Sequence, residues 1–207
     1  MIPMIKICGM TQPDNIKAVL MLKPDFMGFI FYPHSPRCIT GKVNPGFIQG
    51  IASSVITTGV FVNESLEMIF QTAKTYGLRA IQLHGSETPE DCQTLRSEGL
   101  TVIKAFGIKT AADLLQTERY AACTDYFLFD TQSQNHGGTG QSFDWSVLKT
   151  LPLTKPWFLG GGISPANICE AAATGYHALD LNSRFETKPG IKDIYSLKEA
   201  IKLIRKQ

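Results

Sequence analysis

The chain has 207 residues, 43% hydrophobic and 18% charged, and its 20 basic and 18 acidic side chains leave a formal net charge of +2. That is the composition of an ordinary globular protein, long enough to bury most of its unfolded surface without covalent staples. The near-neutral balance disfavours nucleic acid as the main partner. The lack of an apolar run near the ~18 residues of a membrane span, and of a cleavable apolar leader, makes a cytoplasmic protein the expectation.

Short apolar runs alternate with helical patterns along the whole chain. A strand over 4–8 runs into Cys8-Gly9-Met10-Thr11 and a helix over 13–22. A strand over 26–32 leads through Pro33-His34-Ser35-Pro36-Arg37 to a weaker helix over 44–53, and a strand over 57–62 precedes a helix over 66–76. The fourth strand, 80–84, ends Gln82-Leu83-His84-Gly85 before a helix over 89–98; the fifth, 101–106, precedes a helix over 111–119. The sixth, 126–130, ends Phe129-Asp130, followed by a polar, glycine-rich loop over 134–140 with the character of a lid and a short helix over 142–149. The seventh, 157–160, meets Gly160-Gly161-Gly162-Ile163-Ser164 and a helix over 165–174; the eighth, 178–182, ends Asp180-Leu181-Asn182-Ser183, and a helix over 194–206 follows. Thr11 with Asp14, Thr88 with Pro89 and Asp91, and Ser164 with Pro165 read as helix N-caps.

The strands are apolar on both faces, as parallel strands covered on both sides are. Eight such units without a linker predict a single (β/α)8 TIM barrel spanning 1–207, with an open doubly wound sheet as the alternative. No internal repeat and no low-complexity segment interrupts it. The five cysteines (8, 38, 92, 123 and 169) form no CxxC pair, and an odd, scattered set reads as reduced thiols. The four histidines are isolated, so no metal site is expected.

In such a barrel the chemistry belongs at the C-terminal ends of the strands, and the residues there are chemically selected. Cys8 sits beside a helix start, where a thiol's pKa is expected to fall toward neutrality and let it act as a base or nucleophile. Asp130 follows three large apolar residues, and partial desolvation would raise its pKa toward that of a general acid. Gly160, Gly161 and Gly162 at a strand-to-helix turn present main-chain N–H groups to an anion, with the dipole of the next helix behind them. Arg37 is placed to take a carboxylate in bidentate fashion. His84 is a candidate to orient a polar substrate group. A phosphorylated small molecule fits this rim best.

The chain resembles phosphoribosylanthranilate isomerase of tryptophan biosynthesis. The resemblance rests on Lys6-Ile7-Cys8-Gly9-Met10-Thr11, Ser35-Pro36-Arg37, Gln82-Leu83-His84-Gly85, Phe129-Asp130, Gly137-Gly138-Thr139-Gly140 with Phe143-Asp144-Trp145, Gly160-Gly161-Gly162-Ile163 and Pro189-Gly190-Ile191-Lys192-Asp193. It implies a cofactor-free Amadori rearrangement of N-(5-phosphoribosyl)anthranilate to 1-(2-carboxyphenylamino)-1-deoxyribulose 5-phosphate. By the same resemblance Asp130 is the acid that protonates the ring oxygen and Cys8 the base that takes the adjacent carbon-bound proton. Arg37 would hold the anthranilate carboxylate, while Gly160–Gly162 and the strand 8 end would hold the phosphate. One departure stands out: Asn182-Ser183-Arg184 occupies the place of the family's serine-serine-glycine run. Arg184 is therefore expected either to add a phosphate contact or to point away while Ser183 keeps its role. The partner is a small phosphosugar, to a monomer or homodimer. The competing readings are the aminoaldose isomerase of histidine biosynthesis, which resembles this family in chemistry but uses aspartates for both roles, a non-catalytic phosphosugar-binding barrel, and Cys8 as a covalent nucleophile.

Overall fold

Strands without a polar face must be covered on both sides, and here the sheet does so by closing on itself. A computed structural model describes residues 3–131, 143–149 and 155–206; the expected lid over 134–140, with its Gly-Gly-Thr-Gly motif, lies outside them. The strands are β1 (Met4–Cys8), β2 (Phe26–Ile30), β3 (Ile56–Phe61), β4 (Ala80–Leu83), β5 (Thr101–Ile108), β6 (Tyr126–Thr131), β7 (Trp157–Leu159) and β8 (Ala178–Leu181). Each pairs in parallel with the next, and β8 returns to β1 with Lys6 opposite Asp180, so the doubly wound alternative is excluded. Between them run α1 (Pro13–Leu20), α2 (Pro45–Ile51), α3 (Leu66–Tyr76), α4 (Pro89–Ser97), α5 (Ile168–Ala172) and α6 (Ile194–Arg205), with 3-10 helices at Ala111–Tyr120 and Trp145–Lys149.

Alternate strand residues fill the inside of the barrel. Phe26, Ile103, Ala105, Leu128, Phe158 and Ala178 form one buried cluster, with Met4, Ile56 and Tyr126 packed against it. Phe26 of β2 meets Phe158 of β7 edge-on, centroids 5.2 Å apart. Two non-neighbouring strands touch this way only across the interior, so these rings plug the barrel. The period of two then puts Lys6 and Cys8 of β1, Gly28 of β2, Gln82 and His84 from β4, Asp130 of β6 and Asp180 of β8 on the same inner surface above the plug. The residues between them join a second, larger cluster under the helices.

Three expected features are corrected. Thr11 does not cap α1: the N-cap is Gln12, without a side-chain bond, and the Thr11 hydroxyl instead donates to the Gly190 carbonyl at 3.0 Å. Ser164 does not cap the ten-residue helix expected over 165–174, because the regular turn-by-turn ladder starts only at Ile168. The helix read over 111–119 is a 3-10 helix, Ala111–Tyr120. Thr88 and Asp91 do form a full capping box on α4. A small hairpin follows β8, with β9 (Glu186–Lys188) and β10 (Ile191–Lys192) paired antiparallel. Its strands are too short to carry a periodic signal.

Candidate active site

Cys8 is the last residue of β1 and only 3% exposed. Its neighbour across the sheet is Gly28, where an added Cβ would stand 2.5 Å from the Cys8 Sγ. A glycine is therefore what lets the sulfur occupy that position. Two residues earlier, Lys6 is wholly buried and donates to Asp180 Oδ1 at 2.9 Å; its charge also favours the ionised form of the Cys8 thiol. Burial pushes the thiol up, and although Lys6 and Lys192 pull the other way, the net direction is upward. This corrects the expectation of a lowered pKa. The desolvation of a closed barrel outweighs any helix-start effect. For Lys6 burial works downward, but Asp180 and Cys8 hold the ammonium above its ordinary value, so it stays charged.

Asp130, near the end of β6, has its pKa raised to about 6, first by burial and then by the Asp180 charge, with the Thr131 N–H and Lys6 opposing. Its Oδ1 accepts from Thr131 N–H at 2.7 Å, and its Oδ2 lies 3.5 Å from His84 Nε2. His84 Nδ1 is in turn 2.8 Å from Gln82 Nε2, while Gln82 Oε1 is buried with no hydrogen-bond partner among the described residues. Cys8 and Asp130 thus stand on one inner surface and feel the same two charges, Lys6 and Asp180. An amide proton given to Nδ1 places the ring proton on Nε2, aimed at Asp130. His84 is arranged around the carboxyl of Asp130 as well as toward the mouth.

The turn after β7 lies against this carboxyl. Gly161 and Gly162 have φ of +73° and +72°. A Cβ on Gly161 would come within 2.5 Å of Thr131 N and 2.7 Å of Asp130 Oδ1. Ser164 donates through N–H and hydroxyl to Asn167 Oδ1, and Asn167 Nδ2 returns a bond to the Gly162 carbonyl, which fixes the loop. Because α5 begins only at Ile168, main-chain N–H groups rather than a long helix dipole would supply the attraction for an anion here. At the end of β8, Asn182 and Ser183 are partly buried and Arg184 is exposed.

Arg37 is not the isolated guanidinium that the sequence suggests. Its Nε and Nη2 grip Glu186 at 3.0 and 2.7 Å. Glu186 also accepts from Lys192 Nζ at 2.6 Å and Gly190 N–H at 3.1 Å, and Lys192 donates to Asn182 Oδ1 at 2.8 Å. The Arg37 stem crosses Gly9, where an added Cβ would meet Arg37 Cδ and Asn182 Oδ1, both at 2.8 Å. Arg37 therefore reaches the same mouth as Cys8, held by the hairpin.

Residues 5–203 match the family model described as N-(5'phosphoribosyl)anthranilate (PRA) isomerase. The chain belongs to the phosphoribosylanthranilate isomerase family. It is 44% identical to the N-(5'-phosphoribosyl)anthranilate isomerase of Parabacteroides distasonis over 97% of this chain and 92% of that one. Among solved structures, the phosphoribosylanthranilate isomerase of Thermotoga maritima is 33% identical with a TM-score of 0.85, covering 99% of this chain and 100% of that one. A phosphoribosylanthranilate isomerase solved in complex with reduced 1-(o-carboxyphenylamino)-1-deoxyribulose 5-phosphate is 32% identical with a TM-score of 0.83, at the same coverage.

Within the segments quoted from the sequence, the structure gives Lys6, Gln82, Asp180 and Lys192 places in this isomerase-family site, and Glu186 joins them from outside those segments. Lys6, Gln82, Glu186 and Lys192 share a signal available in hindsight: a charged or amide side chain in an otherwise apolar run or next to a Pro-Gly turn. Among the described residues no group of three or more His, Cys, Asp or Glu is arranged to hold a metal ion, and no helix is long and apolar enough to cross a membrane.

Proposed function

We propose that the barrel mouth isomerises N-(5'-phosphoribosyl)anthranilate, an aminoaldose, to 1-(2-carboxyphenylamino)-1-deoxyribulose 5-phosphate, an aminoketose, in tryptophan biosynthesis. The observation that carries the reading is the placement of a thiol and a protonatable carboxyl, Cys8 and Asp130, on one inner surface with Lys6 and Asp180 as common neighbours.

Asp130 donates its proton to the ribose ring oxygen. The C1–O bond breaks, and the anthranilate nitrogen supplies the electron pair that makes a protonated imine. Cys8, as thiolate, takes the proton from C2; the electrons of that C–H bond form the C1–C2 double bond, and the imine electrons return to nitrogen. The enolamine becomes the ketone by losing its C2 hydroxyl proton and gaining one at C1. The imine is itself the electron sink, so acid and base suffice for the steps assigned here, each contributing roughly 10²–10⁴-fold.

The productive arrangement has the proton on Asp130 and none on Cys8. At rest the lower pKa of Asp130, about 6, puts the proton on the thiol instead. Both arrangements hold the same number of protons, so the productive fraction is constant with pH between the two pKa values. Lys6, held charged, raises that fraction by stabilising the thiolate. Arg37 takes the anthranilate carboxylate, and the N–H groups of Gly160, Gly161 and Gly162 with Asn182 and Ser183 take the phosphate. Arg184, exposed at the rim, is left outside the cradle. His84 holds Asp130 and orients the ring oxygen end of the sugar. All these groups come from one chain, so the reading serves a monomer or a homodimer, in a cytoplasmic setting.

Anthranilate fluorescence tests it. Freshly made substrate should lose its emission far faster with enzyme than by spontaneous breakdown. Equal decay with and without enzyme would overturn the assignment.

A further inference from the structure

We propose that Glu186 is the positioning residue that turns Arg37 into a directional receptor for the substrate carboxylate, with Lys192 as its counter-charge. The inference rests on the reading that Arg37 meets that carboxylate.

A free arginine side chain carries roughly 2 kcal/mol of rotamer entropy, which binding must overcome. Here the guanidinium is already fixed. Glu186 occupies the side edge, Nε with Nη2. The opposite end fork, Nη1 with the second Nη2 proton, has no partner among the described residues, and it has the geometry for a second bidentate carboxylate. The Arg37 side chain is 12% exposed and that of Glu186 3%. The Arg37 side chain is thus partly accessible, while Glu186 is not.

Glu186 is also saturated. Besides Arg37 it accepts from Lys192 Nζ and Gly190 N–H. Burial works to raise its pKa, but Arg37 and Lys192 hold it below the ordinary carboxylate range, so it is ionised and unavailable as an acid or base. The charges then matter. Arg37 and Glu186 alone would be a neutral pair with little pull on an anion. Lys192 is itself fully buried, and burial lowers its pKa while the Glu186 carboxylate at 2.6 Å supports its charge; with its proton it brings the three-residue group to 2 − 1 = +1. That leaves one net positive charge with a defined direction, anchored to Asn182 and to the β9–β10 hairpin. Arg37 Cδ and Asn182 Oδ1 both lie against Gly9, next to Cys8, where an added Cβ would meet each at 2.8 Å.

Glu186→Gln keeps the shape and removes the charge. Buried Lys192 would then lose its proton more readily, so net charge changes little and orientation is what is lost. Two probes separate this from general damage: reduced 1-(o-carboxyphenylamino)-1-deoxyribulose 5-phosphate, and the same compound lacking the ring carboxyl. By calorimetry, Glu186→Gln should weaken the first by about 10-fold or more and the second by less than about 2-fold, the range expected for supporting residues. KM for the natural substrate should rise with kcat nearly unchanged. Glu186→Asp, which keeps the charge, should fall between wild type and Glu186→Gln in the same pattern, and it carries the test if the glutamine variant does not fold. Equal weakening of both probes, or of neither, would overturn the role of Glu186. Arg37→Met is the separate check: if it leaves carboxylate discrimination intact, the reading of Arg37 itself fails, whatever Glu186 does.

Discussion

Replacing Asp130 with asparagine should make the protein more stable at alkaline pH while removing its activity. The folded carboxyl titrates at about 6 against an ordinary value of 3.8, chiefly because burial penalises the charged form. A shift of about two units at 1.36 kcal/mol each amounts to about 3 kcal/mol. Because the folded value lies above the unfolded one, the native state gains from protonation. Its stability is full below about pH 4, declines as the pH rises to about 6, and stays reduced beyond. Asparagine is neutral at every pH, and its oxygen can keep the bond from Thr131 N–H that Asp130 Oδ1 accepts at 2.7 Å. The variant should therefore match wild type at pH 4 and exceed it at pH 8 by up to about 3 kcal/mol. For a chain of this size that is a rise in Tm of roughly 6–12 °C. Thermal melts at the two pH values, with wild type alongside, measure it as a difference of differences that cancels the other titrating groups. If Asp130→Asn changes Tm equally at pH 4 and pH 8, the carboxyl is not desolvated and the reasoning is wrong.

Three further outcomes follow from the same geometry. Gly28→Ala puts a methyl 2.5 Å from the Cys8 sulfur; kcat should fall at least about 10²-fold for a stability cost of only about 1–3 kcal/mol, read by turnover and urea unfolding. Lys6→Met leaves Asp180 without its 2.9 Å partner and Cys8 without the cation that favours its thiolate. The alkaline limb of the kcat/KM profile should move to higher pH, and the acid limb, set by Asp130 at about 6, should move up with it, because Lys6 also holds the Asp130 pKa down against Asp180; urea melts should show a loss of about 3–5 kcal/mol. Gly161→Ala forces a side chain into φ +73° and onto Thr131 and Asp130. Steady-state kinetics should show a KM increase together with a kcat loss, since the anion-binding turn and the acid move as one.

The barrel was readable because its signal is repeated: every strand is a short apolar run, and parity then assigns Lys6, Cys8, Gln82, Asp130 and Asp180 to one surface. The site motifs were readable where chemistry and strand end coincide, as at Cys8 and Asp130. The direction of the Cys8 pKa was not, since it depends on a competition between desolvation and two lysines, one of them, Lys192, far away in sequence. The partners of Arg37 were hidden for a similar reason. Glu186 lies 149 positions away in a hairpin of three-residue and two-residue strands, too short for any period to appear. Ser164 and Thr11 misled because a hydroxyl before a helix is also a good donor elsewhere: Ser164 bonds Asn167 within its own turn, and Thr11 makes a long-range bond to Gly190.

The pairing of Cys8 with Asp130 is tested most directly by giving Cys8→Ala the reduced product analogue and the substrate in parallel. The account predicts an unchanged Kd for the analogue and a kcat lower by at least about 10³-fold, with no recovery at any pH. Turnover within tenfold of wild type would show that another group removes the carbon-bound proton and would contradict it.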